Sequence, residues 1–127
     1  MAGLRTAWEL IGWAGIAFLL WLSLTPSPPQ MGGFAHADKI GHALAYALLM
    51  VWFAQLRRTR PGRAATALGL LALGVGIEFA QDWGGAREFS RADMVADLAG
   101  IALGWWAAPP RGPDLLALGQ RVVRAAS

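Results

Sequence analysis

The chain has 127 residues, of which 56% are hydrophobic and 15% are charged, and its mean hydropathy is +0.42. A water-soluble domain carries about 25% charged residues, so the excess of apolar side chains needs a non-aqueous environment. The basic pI does not indicate a nucleic-acid partner, because the Arg residues flank apolar segments instead of forming a stripe on a soluble fold. The absence of Cys excludes disulfides, thiolate metal sites and a Cys nucleophile.

Four apolar segments follow one another along the chain, and each has about the length that an α-helix needs to cross a membrane. Backbone groups in lipid must bond within their own segment, so helix is the expected state. The predicted spans are residues 7–24, 40–56, 64–80 and 92–108. We therefore predict an all-α fold, with residues 1–127 forming a single domain of four transmembrane helices and a tail from 109 to 127. The first span is expected to be retained, since the Pro-rich stretch after it is a poor cleavage site.

The basic residues predict the orientation. The link between the second and third spans has four Arg within residues 57–63, which indicates the cytoplasmic side. With an even number of spans both chain ends lie inside as well (N-in/C-in), so that eight of the 11 basic residues are inside. We predict a multi-pass protein of the bacterial inner membrane. The tail fits a short helix on the inner surface and a solvated, frayed segment equally well.

Polar residues gather at the outer ends of three spans. They are Lys39, His42 and Tyr46 on the second, Glu78 and Gln81 on the third, and Asp93 and Asp97 on the fourth. Their spacing places the members of each set on one helical face. At a rise of about 1.5 Å per residue, His42, Glu78 and Asp97 each lie one turn inside their helix mouths. Charged residues within spans usually face the bundle interior and pair with one another, so we expect the three helices to bring them together.

Small residues repeat at every fourth position on two of the spans. One row is Ala96, Gly100 and Gly104, and the other is Ala72, Gly76 and Ala80. Such rows allow helix backbones to approach closely. We therefore expect the third and fourth spans to pack tightly against each other and to hold Glu78 near Asp97.

The order and spacing of these residues resemble the VanZ-like membrane protein family over roughly residues 10–108. The residues that carry the resemblance are Asp38, Lys39, His42, Tyr46, Glu78, Gln81, Arg87, Phe89, Ser90, Asp93, Asp97, Gly100 and Gly104. One departure is Asp97, where the family usually has Asn. The founding member is associated with resistance to the glycopeptide antibiotic teicoplanin, so the resemblance implies an envelope role, linked to such resistance, and does not supply a reaction.

The leading hypothesis is an outer-face pocket that binds a lipid or cell-wall headgroup. Arg holds phosphate with two hydrogen bonds, and the headgroup layer is rich in phosphates. The predicted headgroup contacts are Lys39, Tyr46, Gln81, Arg87 and Asp93. Alternatively, Lys39 only extends toward the headgroups, and Arg87 only pairs with a neighbouring acid. The expected partners are membrane lipids, including a phosphorylated lipid or a cell-wall precursor.

Two other functions stay open. In one, an intramembrane enzyme acts on a phosphorylated lipid-linked substrate, with His42, Glu78 and Asp97 as the catalytic candidates. In the other, the protein is a structural or interaction subunit of a membrane complex, and the polar residues hold its helices together. Whether several copies assemble into a homo-oligomer also stays open. No recognisable motif predicts a metal site, and we expect no cofactor and no nucleic acid.

Overall fold

In the computed structural model, the chain is described over residues 2–25, 37–84 and 91–127. These ranges contain five helices and no strand, which confirms the all-α prediction. The helices are α1 (Ala2–Leu24), α2 (Ala37–Ala54), α3 (Arg60–Trp83), α4 (Arg91–Ala107) and α5 (Leu115–Ala126).

The helices match the predicted spans in order but not in length. By length and composition, α1 and α3 are apolar enough to cross a membrane, which supports association with a membrane. Each also extends beyond its predicted span, because residues such as Arg63 continue a helix without being apolar. The other two predicted spans lie in α2, with 18 residues, and in α4, with 17 residues. That α2 and α4 also cross the membrane stays a prediction.

Helices α2 and α4 are parallel and make the closest helix contact in the described part of the chain. A Cβ atom added to Gly100 would overlap the backbone carbonyl of Ala43. One turn further, a Cβ on Gly104 would lie 2.5 Å from the carbonyl oxygen of Ala47. Because both glycines are buried against backbone, α4 can approach α2 this closely only where it has no side chain.

The predicted partner of the small-residue row on α4 was wrong. Gly100 and Gly104 face α2 and not α3. The row Ala72, Gly76 and Ala80 on α3 is exposed, and an added Cβ on Gly76 would meet nothing within 4 Å. Small residues permit close approach without specifying which neighbour approaches, so the sequence indicated a contact surface and not its partner.

The two ends of this bundle differ in chemistry. We call the end with residues 2–9, 52–63 and 107–127 the arginine end. The opposite end, with residues 23–25, 37–46, 74–84 and 91–97, is the acidic end. Between them lies an apolar core contributed mostly by α2, and its buried residues are Tyr46, Leu49, Met50, Phe53, Ala54, Leu70, Ile101 and Ala108.

At the arginine end, a buried arginine of α3 joins the ends of α2 and α4. The Arg63 guanidinium donates to the carbonyl oxygens of Pro109 at 2.7 Å, Arg57 at 2.8 Å and Ala54 at 3.2 Å. The last carbonyls of a helix have no partner within the helix, so Arg63 supplies donors that α2 and the segment after α4 need. From the sequence, Arg63 contributed only to the predicted membrane orientation, and its structural role was not predicted.

Helix α1 is attached to α2 at the same end. The Trp8 and Trp52 rings stack with centroids 3.8 Å apart, and each indole N–H donates to the other residue's backbone carbonyl. Both terminal nitrogens of Arg57 donate to the carboxylate of Glu9, the residue after Trp8, at 2.8 and 2.9 Å. This paired hydrogen bond raises the pKa of Arg57, which therefore stays charged.

The tail forms a helix that is held to the bundle by Gln55. The Gln55 side chain is fully buried, and its Oε1 accepts from the amides of Leu115 at 2.9 Å and Leu116 at 3.4 Å. These are two of the N-terminal amides of α5 that have no acceptor inside the helix. Helix α5 also contacts α1, so of the two open interpretations of the tail, the frayed segment is excluded.

A second cap begins α5. The Asp114 carboxylate accepts from the Ala117 amide at 3.0 Å and lies 2.7 Å from Arg58. These two donors hold the pKa of Asp114 below its usual range. The loop before α3 and the start of α5 are therefore linked by charge as well as by Gln55.

The α2–α4 contact predicts that Gly100→Ala is much more damaging than Gly76→Ala. The new methyl at position 100 would collide with the Ala43 backbone, and overpacking of this kind typically costs about 1–3 kcal/mol. At position 76 the methyl meets open space, and the better helix propensity of Ala makes the change neutral or stabilising. Thermal unfolding of both variants in the same detergent measures this difference. Equal unfolding temperatures would contradict the packing.

Candidate functional site

The predicted polar residues of α2, α3 and α4 do converge at the acidic end. We call this group the polar cluster, and its members are Lys39, His42, Tyr46, Glu78, Gln81, Asp93 and Asp97. Its acids are almost completely buried, at 1–2% exposure. An apolar chain does not bury three carboxyl groups without partners, so their partners determine what the cluster can do.

Two charged pairs connect α2 with α4. The Lys39 ammonium lies 2.8 Å from Oδ1 of Asp93. Nδ1 of His42 lies 3.1 Å from Oδ1 of Asp97. The pairs are one turn apart on both helices, so they form two successive rungs between parallel helices.

Each rung has the same arrangement, with the acid inside and the nitrogen group toward the surface. The Lys39 side chain is 32% exposed and that of Asp93 only 2%. The His42 ring is 16% exposed and the Asp97 side chain 3%. The carboxylates therefore fix the positions of two nitrogen groups that reach the protein surface.

Helix α3 adds Glu78 to the first rung. The Glu78 carboxyl group is buried, at 1% exposure, and lies close enough to Asp93 to interact with it. The predicted proximity of Glu78 to Asp97 stays a prediction.

Gln81 links the cluster to α1. Its amide nitrogen donates to the Ser23 carbonyl at 2.6 Å, at the last turn of α1. Its Oε1 is buried and has no hydrogen-bond partner among the described residues. Gln81 thus stabilises the attachment of α1, a role that its position in the sequence did not predict.

Tyr46 and Gly74 form the base of the cluster. A Cβ on Gly74 would lie 2.5 Å from Oδ2 of Asp97 and 3.2 Å from the Tyr46 hydroxyl. The absence of a side chain at position 74 therefore makes room for both groups. Tyr46, Gln81 and Asp93, which the sequence proposed as headgroup contacts, are all buried, whereas the Lys39 side chain is partly exposed.

Part of the predicted site lies outside the described residues. Arg87, Phe89 and Ser90 belong to the link between α3 and α4. The side chain of Asp38 is likewise outside the described part. Within the described ranges, no group of three or more His, Asp or Glu residues is arranged to hold a metal ion.

The arrangement supports two kinds of chemistry. Lys39, held by a buried carboxylate, presents a positioned cation that can bind an anion. In the second rung, Asp97 holds Nδ1 of His42, which is how a carboxylate orients an imidazole for proton transfer. The sequence predicted that His42 and Asp97 come together with Glu78, and the structure pairs His42 with Asp97.

The first rung predicts a measurable coupling between Lys39 and Asp93. Lys39→Met leaves Asp93 buried without its cation, and hydrogen bonds to charged groups are worth about 1.5–3 kcal/mol. The double variant Lys39→Met/Asp93→Leu leaves no buried charge from this pair, so it should be less destabilised than the sum of the single variants. Unfolding free energies of the four proteins in one detergent measure the coupling. Additive losses would show that the two groups do not interact.

The resemblance to the VanZ-like family rests largely on the residues of this cluster and on their order along the chain. The structure brings these residues together, but convergence of side chains does not by itself show a family. No protein-family model, curated protein or solved structure matches the chain.

Proposed function

We propose that this chain is a VanZ-like protein of the bacterial inner membrane that crosses the membrane four times. The supporting observation is that each of the four long helices exposes large apolar side chains. Examples, one from each helix, are Phe18, Leu48, Leu68 and Val95, all more than half exposed. In water such a surface would aggregate, whereas in a bilayer it contacts the hydrocarbon chains of the lipids.

Helix length and aromatic residues also support four crossings. At a rise of about 1.5 Å per residue, α2 and α4 are ~27 and ~26 Å long, close to the ~30 Å hydrocarbon core. Exposed Trp21 and Trp83 lie at or near the acidic end and exposed Trp106 near the arginine end, as expected of interfacial anchors. The basic residues then place the arginine end in the cytoplasm and the acidic end outside.

The function we propose is binding of a phosphorylated lipid or cell-wall headgroup at the acidic end. The observation that carries this proposal is the Lys39 ammonium, partly exposed and fixed 2.8 Å from buried Asp93. A cation held in this way at the outer headgroup layer meets phosphate groups. Arg87 is the second proposed phosphate contact, and His42, Glu78 and Asp97 position the first.

Retention of a phosphorylated lipid tests this function. Protein purified in mild detergent is mixed with a polyprenyl phosphate and examined by native mass spectrometry. We expect Arg87→Ala and Lys39→Met/Asp93→Leu to retain at least tenfold less of this lipid than the unmodified protein. Arg121→Ala removes an exposed arginine at the opposite end and should retain it fully.

Two results would contradict headgroup binding. If all four proteins retain the same amount of polyprenyl phosphate, the polar cluster is structural. If Arg87→Ala instead removes a co-purifying protein while lipid retention is unchanged, the interaction-subunit hypothesis replaces headgroup binding.

A second candidate function is favoured by the His42–Asp97 pair. A histidine whose Nδ1 is 3.1 Å from a buried carboxylate has the geometry of an acid–base group. The cluster would then convert the phosphorylated lipid instead of only binding it.

The enzymatic function predicts loss of turnover without loss of folding. The polyprenyl phosphate is incubated with the protein, and its mass is followed over time. His42→Ala should stop any conversion, because the proton-transfer group is gone, while the protein still folds and unfolds in a single transition in detergent. If the unmodified protein leaves the lipid unchanged, or if His42→Ala converts it at the same rate, His42 has no catalytic role toward this lipid.

A further inference from the structure

A groove lies between α1, α2 and α3, toward the arginine end and away from the polar cluster. Its volume is about 460 Å³. Its walls are mostly apolar and include Trp13, Ile16, Phe53, Ala65, Leu70 and Leu73. Exposed Trp13 and Gly69 border it, so the groove opens on the side of the bundle.

The length of the groove corresponds to one half of a membrane. Its lining on α3 extends from Gly62 to Leu73, which is ~16 Å at a rise of about 1.5 Å per residue. Half of the hydrocarbon core is about 15 Å. The groove therefore has the length of an acyl chain in a single leaflet.

The width of the groove excludes a helix. All the empty space of the groove, including solvent at its opening, is about 920 Å³, which over ~16 Å gives a mean cross-section of about 57 Å², or a width of at most about 9 Å. An α-helix with its side chains is about 10–12 Å across. A single hydrocarbon chain fits this width, whereas a helix from a second copy of the protein does not.

Positive charge lies where the groove meets the arginine end. Arg57 lines the groove and is bound by Glu9. Arg60, three residues further along, is exposed and forms no ion pair with another described residue. An anionic group at the end of a chain in the groove would lie beside this arginine-rich loop.

We propose that this groove binds one acyl chain of an anionic phospholipid from the inner leaflet, with its phosphate beside Arg57 and Arg60. This inference rests on the proposed membrane orientation but not on headgroup binding at the acidic end. The two sites lie at opposite ends of the bundle and take lipids from opposite leaflets.

The test fills the groove without disturbing the fold. Gly69 lines the groove and an added Cβ there would meet nothing within 4 Å, so Gly69→Leu adds a side chain to the groove wall without a clash at its Cβ. Gly76 is equally open and lies on the same helix, but it does not line the groove, so Gly76→Leu is the matched control. The probe is phosphatidylglycerol, added in detergent and counted by native mass spectrometry.

We expect the unmodified protein and Gly76→Leu to retain one phosphatidylglycerol, and Gly69→Leu to retain at least tenfold less. Lys39→Met/Asp93→Leu should retain it as the unmodified protein does, even if its polyprenyl phosphate is lost. Equal retention by Gly69→Leu and Gly76→Leu would overturn the proposal. So would a dimer of the unmodified protein that Gly69→Leu alone dissociates, since the groove would then hold a second copy.

Discussion

The contact between α2 and α4 at Gly100 and Gly104 determines the geometry of the acidic end. Two parallel helices in contact through backbone have little freedom to slide, because the carbonyls of Ala43 and Ala47 occupy the space of the missing side chains. This register places Lys39 opposite Asp93 and His42 opposite Asp97. The polar pairs thus depend on positions that carry no polar group, and the close approach in turn excludes water from the carboxylates.

The sequence predicted the members of the polar cluster better than their pairing. Helical periodicity places Lys39 and His42 on one face and Asp93 and Asp97 on another, and the cost of charge in an apolar segment brings those faces together. Periodicity contains no information about which helices are neighbours. For that reason the glycine row of α4 was placed against α3 instead of α2.

The arginine end was predicted least well, because its contacts join residues far apart in the chain. Gln55 resembled an isolated polar residue at the end of an apolar run, yet it caps a helix that begins 60 positions later. Arg63 was counted as one of four loop arginines, although it is buried and bonded to three carbonyls. A cation in the first turn of α3 was the available signal, since that position usually prefers acids.

The parallel direction of α2 and α4 has an electrostatic consequence for the first rung. Both helices begin at the acidic end, so two N-termini, each equivalent to about +0.5 charge, lie side by side there. Their C-termini, with the opposite partial charge, lie together near Arg63. Helices α1 and α3 run the opposite way and offset these dipoles over the bundle, so the effect is local: Asp93 lies in the first turn of α4, and Arg63 bonds to carbonyls at the end of α2. Exchanging Lys39 and Asp93 would therefore keep an ion pair but reverse it against this field, so the two orientations of the pair are not equivalent.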